Sequence, residues 1–197
     1  MKASAGHDLV AIGASWGGLD VLRQILAALP VELDAAVVIA QHRSPDSHRT
    51  AFRDLLGAVT HLQVHEASDK DAIRSGTVYI APPDYHLLVD PGSVSLSTDE
   101  PVLHARPSID VLFESAAESY RERCVGVVLT GANSDGAGGL ARIVELGGAA
   151  LVQDPAEATR AEMPRAALRA APTARTASAA EIGPLLLELC GLAKVHA

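Results

Sequence analysis

Three residues suited to nucleophilic catalysis each follow a short apolar run. Ser15 stands in "LVAIGASWGG", His42 in "AQHRS" and Asp135 in "TGANSDGAGG". A serine hydroxyl needs a base to take its proton, and the base needs an acid that fixes its tautomer and stabilises its cation. Serine, histidine and aspartate supply these three functions. Their positions therefore predict a serine nucleophile activated by His42 and Asp135.

The residues next to Ser15 fit the same chemistry. Gly17 and Gly18 carry no side chain that would crowd the turn or obstruct an approaching substrate. The Trp16 N–H stands at the head of a predicted helix, where it could face a developing oxyanion. Ala132, in the loop that carries Asp135, is the candidate for the second backbone donor.

Each of the three assignments has a structural alternative. Ser15 could cap the helix that follows it, and Asp135 could equally be the N-cap of its own helix. His42 could be a hydrogen-bonded structural residue at a strand end. The occurrence of all three residue types at strand ends favours catalysis over three separate coincidences.

Other polar residues carry less weight in the sequence. Asp154 is followed by Pro155 and is interpreted first as a turn residue and second as a rival acid for the triad. His61 and His65 are too widely spaced along a strand for an easy two-ligand metal site, so we expect surface residues. No metal and no cofactor are predicted.

The elements that must bring these residues together alternate along the chain. Apolar runs alternate with segments of helical period, which predicts an α/β fold with a doubly wound, mostly parallel sheet in a Rossmann-like three-layer arrangement. The segment 76–97 contains prolines and a Asp90-Pro91-Gly92 turn, which predict a strand followed by a small antiparallel hairpin. In such a sheet, functional groups gather at the carboxyl ends of the strands.

The element boundaries can be predicted from the same pattern. Strands are expected at 9–12, 35–40, 62–67, 124–130 and 149–154, and helices at 19–29, 49–59, 108–120, 140–148, 163–170 and 179–192. Ser108 is the expected N-cap of the helix at 108–120. The Ala-rich stretch 166–180 is compatible with a helix.

Composition limits the class of protein. The chain has 197 residues, which we interpret as one domain over 1–197, and a net charge of −8 with no basic run, so nucleic acid is not expected as a partner. No apolar stretch is long enough to cross a bilayer, so we expect no membrane insertion and a cytoplasmic location. Cys124 and Cys190 lack paired spacing and are expected to be small buried apolar residues in a reducing compartment.

Two familiar motifs fit only in part. "GASWG" matches the G-x-S-x-G elbow of α/β-hydrolases, but that family has the order Ser, acid, His, whereas the order here is Ser, His, Asp. A dinucleotide fingerprint would need glycine where Ser15 stands and an acid where His42 stands. Nicotinamide binding is therefore a distant alternative.

Six segments together resemble the catalytic domain of the CheB family of chemotaxis protein-glutamate methylesterases. The likeness runs from about residue 9 to residue 190, and its six segments stand in the family's order with compatible spacing. They are "VAIGASWGG", "QHRSPDSHRTAF", "GTVYIAPPDYH", "RPSIDVLFESAA", "GVVLTGANSDGAGG" and "VQDPAEATRAEMPRAAL".

The resemblance implies an activity and a site. Members of the family hydrolyse glutamate γ-methyl esters on the helical cytoplasmic bundle of chemoreceptors, releasing methanol, and some also deamidate receptor glutamines. Their Ser-His-Asp triad corresponds to Ser15, His42 and Asp135, with Ser15 attacking the ester and His42 moving the proton. The resemblance also makes His86 and Arg106 candidate cleft-lining residues, and it implies no cofactor.

The chain departs from the family pattern in three ways. Trp16 stands where the family has a small residue, and Ala132-Asn133 stand where its loop has Met-Gly. Typical members carry an N-terminal receiver domain, whereas the first strand here is reached by residue 9, which predicts constitutive activity or control by a separate partner protein. The alternative function is a module that binds receptor helices or a signalling partner without turnover.

Overall fold

A computed structural model describes residues 7–44 and 49–192, so that the segment 45–48 of the "QHRSPDSHRTAF" motif lies outside the described residues. The strands are β1 (Leu9–Ala14), β2 (Ala36–Gln41), β3 (Gln63–Glu66), β4 (Thr77–Ile80), β5 (His86–Asp90), β6 (Ser93–Ser97), β7 (Cys124–Val128), β8 (Ala149–Gln153) and β9 (Arg175–Ala177). The helices are α1 (Gly18–Ala27), α2 (Arg49–Gly57), α3 (Ile109–Tyr120), α4 (Ala137–Glu145), α5 (Glu162–Ala170) and α6 (Ala179–Leu189).

Seven of the strands form one parallel sheet. Their order is β3-β4-β2-β1-β7-β8-β9, and every neighbouring pair in it is parallel. The chain leaves β1 toward β2 on one side and later adds β7 on the other, so the strand order reverses at β1. A crevice forms at such a reversal, outside the carboxyl ends of the strands. The predicted doubly wound sheet is confirmed.

Helices cover both faces of the sheet. Successive residues of a buried strand point to opposite sides, so each strand contributes to two cores. Val10 and Ile12 lie in a core with residues of α1, α2 and α6, whereas Leu9 and Ala11 lie in a core with residues of α3, α4 and α5. All six residues of β1 are buried. The three-layer arrangement therefore holds the carboxyl end of β1 rigidly between two cores.

The predicted hairpin is present as β5 and β6, an antiparallel pair outside the main sheet. It packs against α3, where the Ser115 hydroxyl accepts a hydrogen bond from the Val89 N–H at 3.0 Å. Ser108 is the N-cap of α3, as predicted, and its side chain accepts from the Val111 N–H. The hairpin thus supports the helix whose N-terminus reaches the candidate site.

The Ala-rich stretch 166–180, whose composition is compatible with a helix, is only partly helical and contains a strand that the sequence analysis missed. It does not continue as a helix: α5 ends at Ala170, and Arg175–Ala177 form β9 at the edge of the sheet. Leu151 and Gln153 of β8 pair with Arg175 and Ala177. This pairing overrides the helix propensity of alanine, because tertiary contacts outweigh a weak local preference.

Two absences can be stated for the residues that the structure describes. None of the helices within 7–44 and 49–192 is both long and apolar enough to span a membrane. Within the same ranges, no three His, Cys, Asp or Glu side chains are grouped so that they could hold a metal ion.

Candidate active site

The sheet delivers the three predicted residues to one edge. β1 pairs with β2 on one side, with Ala14 opposite Gln41, and with β7 on the other. Ser15 and His42 are the residues directly after β1 and β2, and Asp135 lies in the loop after β7. Because the strands are parallel and adjacent, their carboxyl ends place these residues at the same crevice.

The three side chains form a continuous chain of hydrogen bonds. Ser15 Oγ lies 3.2 Å from His42 Nδ1, and His42 Nε2 lies 2.8 Å from Asp135 Oδ2. The two ring nitrogens are used in the reverse of the serine-protease arrangement. Since one nitrogen still faces each partner, Nε2–H can donate to Asp135 while Nδ1 accepts the proton of Ser15.

Asp135 is held by the N-terminus of α3. Its Oδ1 accepts from the Ser108 hydroxyl at 2.9 Å and the Asp110 N–H at 3.0 Å, and its Oδ2 also accepts from the Ile109 N–H at 2.7 Å. Burial alone would raise the pKa of this carboxyl, but the hydrogen bonds with His42 and the two backbone N–H groups outweigh it and lower the pKa. The acid is therefore ionised and fixed in direction.

The capping alternatives for Ser15 and Asp135 do not describe this structure. The N-caps of α1 and α4 are Gly17 and Gly136, with φ of 80° and 91°, and neither helix has a side-chain cap. Ser15 Oγ bonds with His42 instead, and the Asp135 carboxylate binds the N-terminus of α3 rather than that of its own helix.

The two glycines after Trp16 are required by packing. Gly17 has a left-handed backbone, and a Cβ there would lie 2.6 Å from Thr159 Oγ1. A Cβ on Gly18 would lie 2.5 Å from Gln41 Oε1. A side chain at either position would therefore crowd the turn.

The two candidate oxyanion donors lie beside Ser15. Trp16 follows it directly, and a Cβ on Gly131, the residue before Ala132, would lie 2.9 Å from the Cβ of Ser15. Neither the Trp16 N–H nor the Ala132 N–H donates to another residue in the part of the chain that the structure describes. Two free N–H groups near a nucleophile are what an oxyanion hole needs.

Sequence reasoning missed the residues that tie these loops together. The Thr130 hydroxyl donates to the Trp16 carbonyl and accepts from the Arg160 N–H, both at 2.9 Å. Gln41 Nε2 donates to the Ser15 carbonyl at 2.8 Å. Thr130 and Gln41 are fully or almost fully buried. A polar residue at the end of an apolar strand was the available signal for both.

His86 does not line a cleft, which corrects the expectation for that residue. Its side chain is only 1% exposed. Its Nδ1 accepts from the Ser108 N–H at 3.1 Å and its Nε2 donates to the Glu100 carbonyl at 3.1 Å. His86 lies behind Ser108, which in turn contacts Asp135, so it supports the acid from a distance.

Arg106 does lie at a cleft, next to His42. The cleft has a volume of about 390 Å³, and its walls include Arg43, Leu103 and Asn133. Arg106 is held in place by its side chain, which donates to Asp84 Oδ1 at 2.6 Å. The opening beside the candidate base is therefore lined by both cationic and apolar side chains.

A larger groove of about 770 Å³ lies between β9 and α6. It is lined by the edge strand and by α6 residues such as Pro184 and Leu185, and none of the three triad residues is among them. Volume alone does not make a site, and this groove holds no nucleophile with a base beside it. We therefore place the candidate site at the smaller cleft, which is lined by His42 of the three triad residues.

The remaining candidates behave as structural or surface residues. The Asp154 carboxylate accepts from the Ala156 N–H at 2.8 Å within the turn after β8, and His61 and His65 are exposed. Cys124 and Cys190 are free and buried. Burial raises the pKa of the Cys124 thiol to about 12, so it stays protonated at neutral pH.

A second carboxylate connects α3 with α4. Asp110 Oδ1 accepts from the Gly139 N–H in the first turn of α4 at 2.7 Å, while Asp135, just before α4, accepts from α3. Burial raises the pKa of Asp110 to about 6; the Gly139 hydrogen bond opposes this rise, and the charges of Asp135 and Glu114 add to it. The N-terminus of α4 is thus bound by a carboxylate of α3, and the N-terminus of α3 is bound by the carboxylate just before α4.

Comparison with known proteins agrees with this geometry. The family model described as CheB methylesterase matches residues 10–186. The crystal structure of the Thermotoga maritima CheB methylesterase catalytic domain superposes with a TM-score of 0.87 at 30% identity, covering 94% of this chain and 100% of that one. The fold is therefore that of a known catalytic domain.

Relatives with curated names agree as well. A Leptospira interrogans relative is 44% identical over 93% of this chain and 95% of its own, and its name assigns it two activities provisionally, protein-glutamate methylesterase and protein-glutamine glutaminase. A protein with both activities in its name from Symbiobacterium thermophilum is 40% identical over 80% of this chain but only 43% of its own length. With its family model, its relatives and its fold in agreement, this chain belongs to the CheB methylesterase family.

Proposed function

We propose that this methylesterase uses Ser15, His42 and Asp135 to hydrolyse γ-methyl esters of glutamate side chains on a chemoreceptor. The observation that carries the assignment is the chain of contacts from Ser15 Oγ through the His42 ring to Asp135, at 3.2 and 2.8 Å. The relatives' names and the resemblance of the sequence motifs support the reaction and the substrate.

In the first half of the proposed reaction, the acyl group of the ester is transferred to Ser15. His42 Nδ1 takes the hydroxyl proton as Ser15 Oγ attacks the ester carbonyl, and Asp135 stabilises the resulting imidazolium through Nε2–H. The tetrahedral intermediate then collapses. The C–O bond to the methoxy group breaks, and methanol leaves with the proton from Nδ1.

In the second half, water takes the place of the serine hydroxyl. His42 Nδ1 removes a proton from water, which attacks the acyl-enzyme, and Ser15 then leaves with that proton. The products are the free enzyme and the glutamate carboxylic acid, which becomes a carboxylate by releasing its proton to water. A glutamine side chain would follow the same steps, with ammonia as the leaving group in place of methanol.

The negative oxygen of both tetrahedral intermediates needs donors that are already in place. We assign this function to the N–H groups of Trp16 and Ala132. The Trp16 N–H lies at the N-terminus of α1, where the helix dipole adds positive potential. Removing one such donor typically costs about 10²–10³ in kcat.

The partners follow from the substrate that we propose. The methylated glutamates would lie on the cytoplasmic helical bundle of a chemoreceptor, and the reaction would take place in the cytoplasm. Control by a separate protein stays a prediction. If a phosphodonor added to the purified chain changed its esterase rate, that prediction would be wrong.

Methanol release from a methylated chemoreceptor fragment tests the assignment. We expect Ser15→Ala to reduce the rate by about 10⁴-fold or more, since the nucleophile is lost. Ser134→Ala is the matched control, because Ser134 is an exposed serine in the loop of Asp135, and it should keep the wild-type rate.

Equal rates for wild type and Ser15→Ala would remove Ser15 as the nucleophile. The binding-module alternative makes a different prediction, namely tight association with the same fragment and no methanol release from the wild-type chain. The two functions are therefore separated by one assay together with one binding measurement.

A further inference from the structure

Two exposed large apolar side chains stand next to residues of the candidate site. Among the described residues, five such side chains are exposed: Trp16, Val31, Leu55, Val102 and Leu103. Trp16 follows the nucleophile and is 68% exposed, and Leu103 lines the cleft beside His42 and is 52% exposed. Large apolar side chains exposed beside a reactive site are candidates for contact with a ligand.

The turn that carries Leu103 has an unusual conformation for its sequence. The Val102 and Ala105 backbones are joined by two hydrogen bonds of 3.1 and 2.8 Å, and the two residues between them, Leu103 and His104, have φ of 48° and 63°. Glycine, asparagine or aspartate is favoured where both central residues have positive φ. A leucine there costs free energy in the turn and gains little burial.

The turn is also held firmly at its base. Arg106, the residue after Ala105, donates to Asp84 Oδ1 and to the carbonyl oxygens of Thr98 and Asp99. Leucine is thus presented to solvent on a fixed support, at a position where the fold itself would favour another residue. Backbone strain that persists beside a reactive site is typical of functional contacts.

We propose that Trp16 and Leu103 are the contacts through which this site holds one face of an α-helix of its protein substrate. The proposal rests on the function proposed above. Residues three or four positions apart share one helix face, so apolar residues a turn away from a methylated glutamate would meet these side chains while the ester reaches Ser15.

The net charge of the chain does not favour electrostatic association with an acidic substrate. The chain carries a net charge of −8. A substrate segment that contains glutamates is acidic as well, so long-range electrostatic attraction does not draw the two together. Burial of the Trp16 ring and the Leu103 side chain supplies the affinity that overall charge does not.

Leu103→Asn tests the contact without strain in the turn, because asparagine is favoured at positive φ. We expect the ratio of kcat/KM on the methylated chemoreceptor fragment to kcat/KM on N-acetylglutamate γ-methyl ester to fall about tenfold, ~1.4 kcal/mol. Val31→Asn, at an exposed valine outside the site cleft, should leave this ratio unchanged. A wild-type ratio in a folded Leu103→Asn protein overturns the proposal.

A binding measurement tests this proposal separately from the proposed function on which it rests. Trp16 is the only tryptophan of the chain, so its fluorescence reports its own surroundings. In the Ser15→Ala protein, which cannot turn over, we expect a blue shift when the methylated fragment is added, and about tenfold weaker binding when Leu103→Asn is also present. Binding with no shift and no effect of Leu103→Asn overturns the proposal, whereas loss of Ser15 dependence in the methanol assay would overturn the proposed function alone.

Discussion

Two parts of the candidate site differ in how they are held. The acid side is the Asp135 carboxylate, and the oxyanion side is the pair of N–H groups of Trp16 and Ala132. Asp135 is 1% exposed and accepts hydrogen bonds from His42, Ser108, Ile109 and Asp110. The two oxyanion candidates instead belong to exposed residues, and their N–H groups donate to no other described residue. The hydrogen bonds of the acid are complete in the free protein, whereas the N–H groups proposed as oxyanion donors have no partner among the described residues.

This difference indicates how the work of catalysis is divided. The acid and the base must be oriented before substrate arrives, and a buried carboxylate at a helix N-terminus provides that orientation. Oxyanion donors must not be paired with other protein groups, because a donor already bonded within the protein is not available to the negative oxygen of the transition state. Two of the three departures from the family pattern, Trp16 and Ala132-Asn133, lie on this oxyanion side.

The largest effect is expected on the acid side. Asp135→Asn replaces one acceptor oxygen by an NH₂ group that faces N–H donors, so it disturbs both the His42 tautomer and the N-terminus of α3. We expect kcat for methanol release to fall about 10⁴-fold. Circular dichroism would establish how much of the protein is folded, so that the rate refers to folded molecules.

Asp154→Asn is the control for that experiment. Asp154 also follows a strand of the sheet, but its Oδ1 accepts only within its own turn, and asparagine keeps this acceptor. Its kcat should stay within about threefold of wild type. A comparable loss in both variants would mean that Asp135 is not specifically the acid of the triad.

A smaller effect is expected on the oxyanion side. Ala132→Pro removes the N–H of residue 132 and leaves the triad side chains in place, so kcat should fall about 10²-fold. Ala132→Ser keeps the N–H and should retain the wild-type kcat. If a folded Ala132→Pro protein kept full activity, the Ala132 N–H would not be an oxyanion donor.

The smallest expected effect is on stability. It concerns Asp110 and Asp135, the two carboxylates that connect α3 with α4. The pKa of Asp110 is raised to about 6, so between its unfolded value and pH 6 the folded state binds more protons than the unfolded state. The free energy of unfolding contributed by Asp110 therefore falls as pH rises through that window. In Asp110→Asn this fall should be absent.

Urea unfolding at several pH values between 4 and 7 measures this effect. Asp20→Asn is the matched control, since Asp20 is also an acidic residue in the first turn of a helix but is exposed, and it should keep the wild-type pH dependence. Asp135 acts in the opposite sense: its pKa is lowered, so its contribution is present above the unfolded carboxyl pKa and is lost as pH falls below it. Wild-type pH dependence in Asp110→Asn would contradict the assignment.

Much of the architecture is predictable from local patterns. The alternation of apolar strands with amphipathic helices predicted the parallel sheet, and the prolines and the Asp90-Pro91-Gly92 turn predicted the hairpin β5–β6. The strand β9 was missed, because Arg175–Ala177 is a strand only through its pairing with β8. Local propensity carries no information on a partner strand that is distant in sequence.

The site divides in the same way. The residue types, their positions at strand ends and the glycine turn after Ser15 are properties of the sequence, and they sufficed to nominate Ser15, His42 and Asp135. Which oxygen meets which donor, the burial of His86 behind Ser108, and the packing of Gly17 against Thr159 depend on contacts between segments far apart in the chain. Only folding sets those distances, because hydrogen bonds and close packing act over a few ångströms, whereas the sequence orders residues along one dimension.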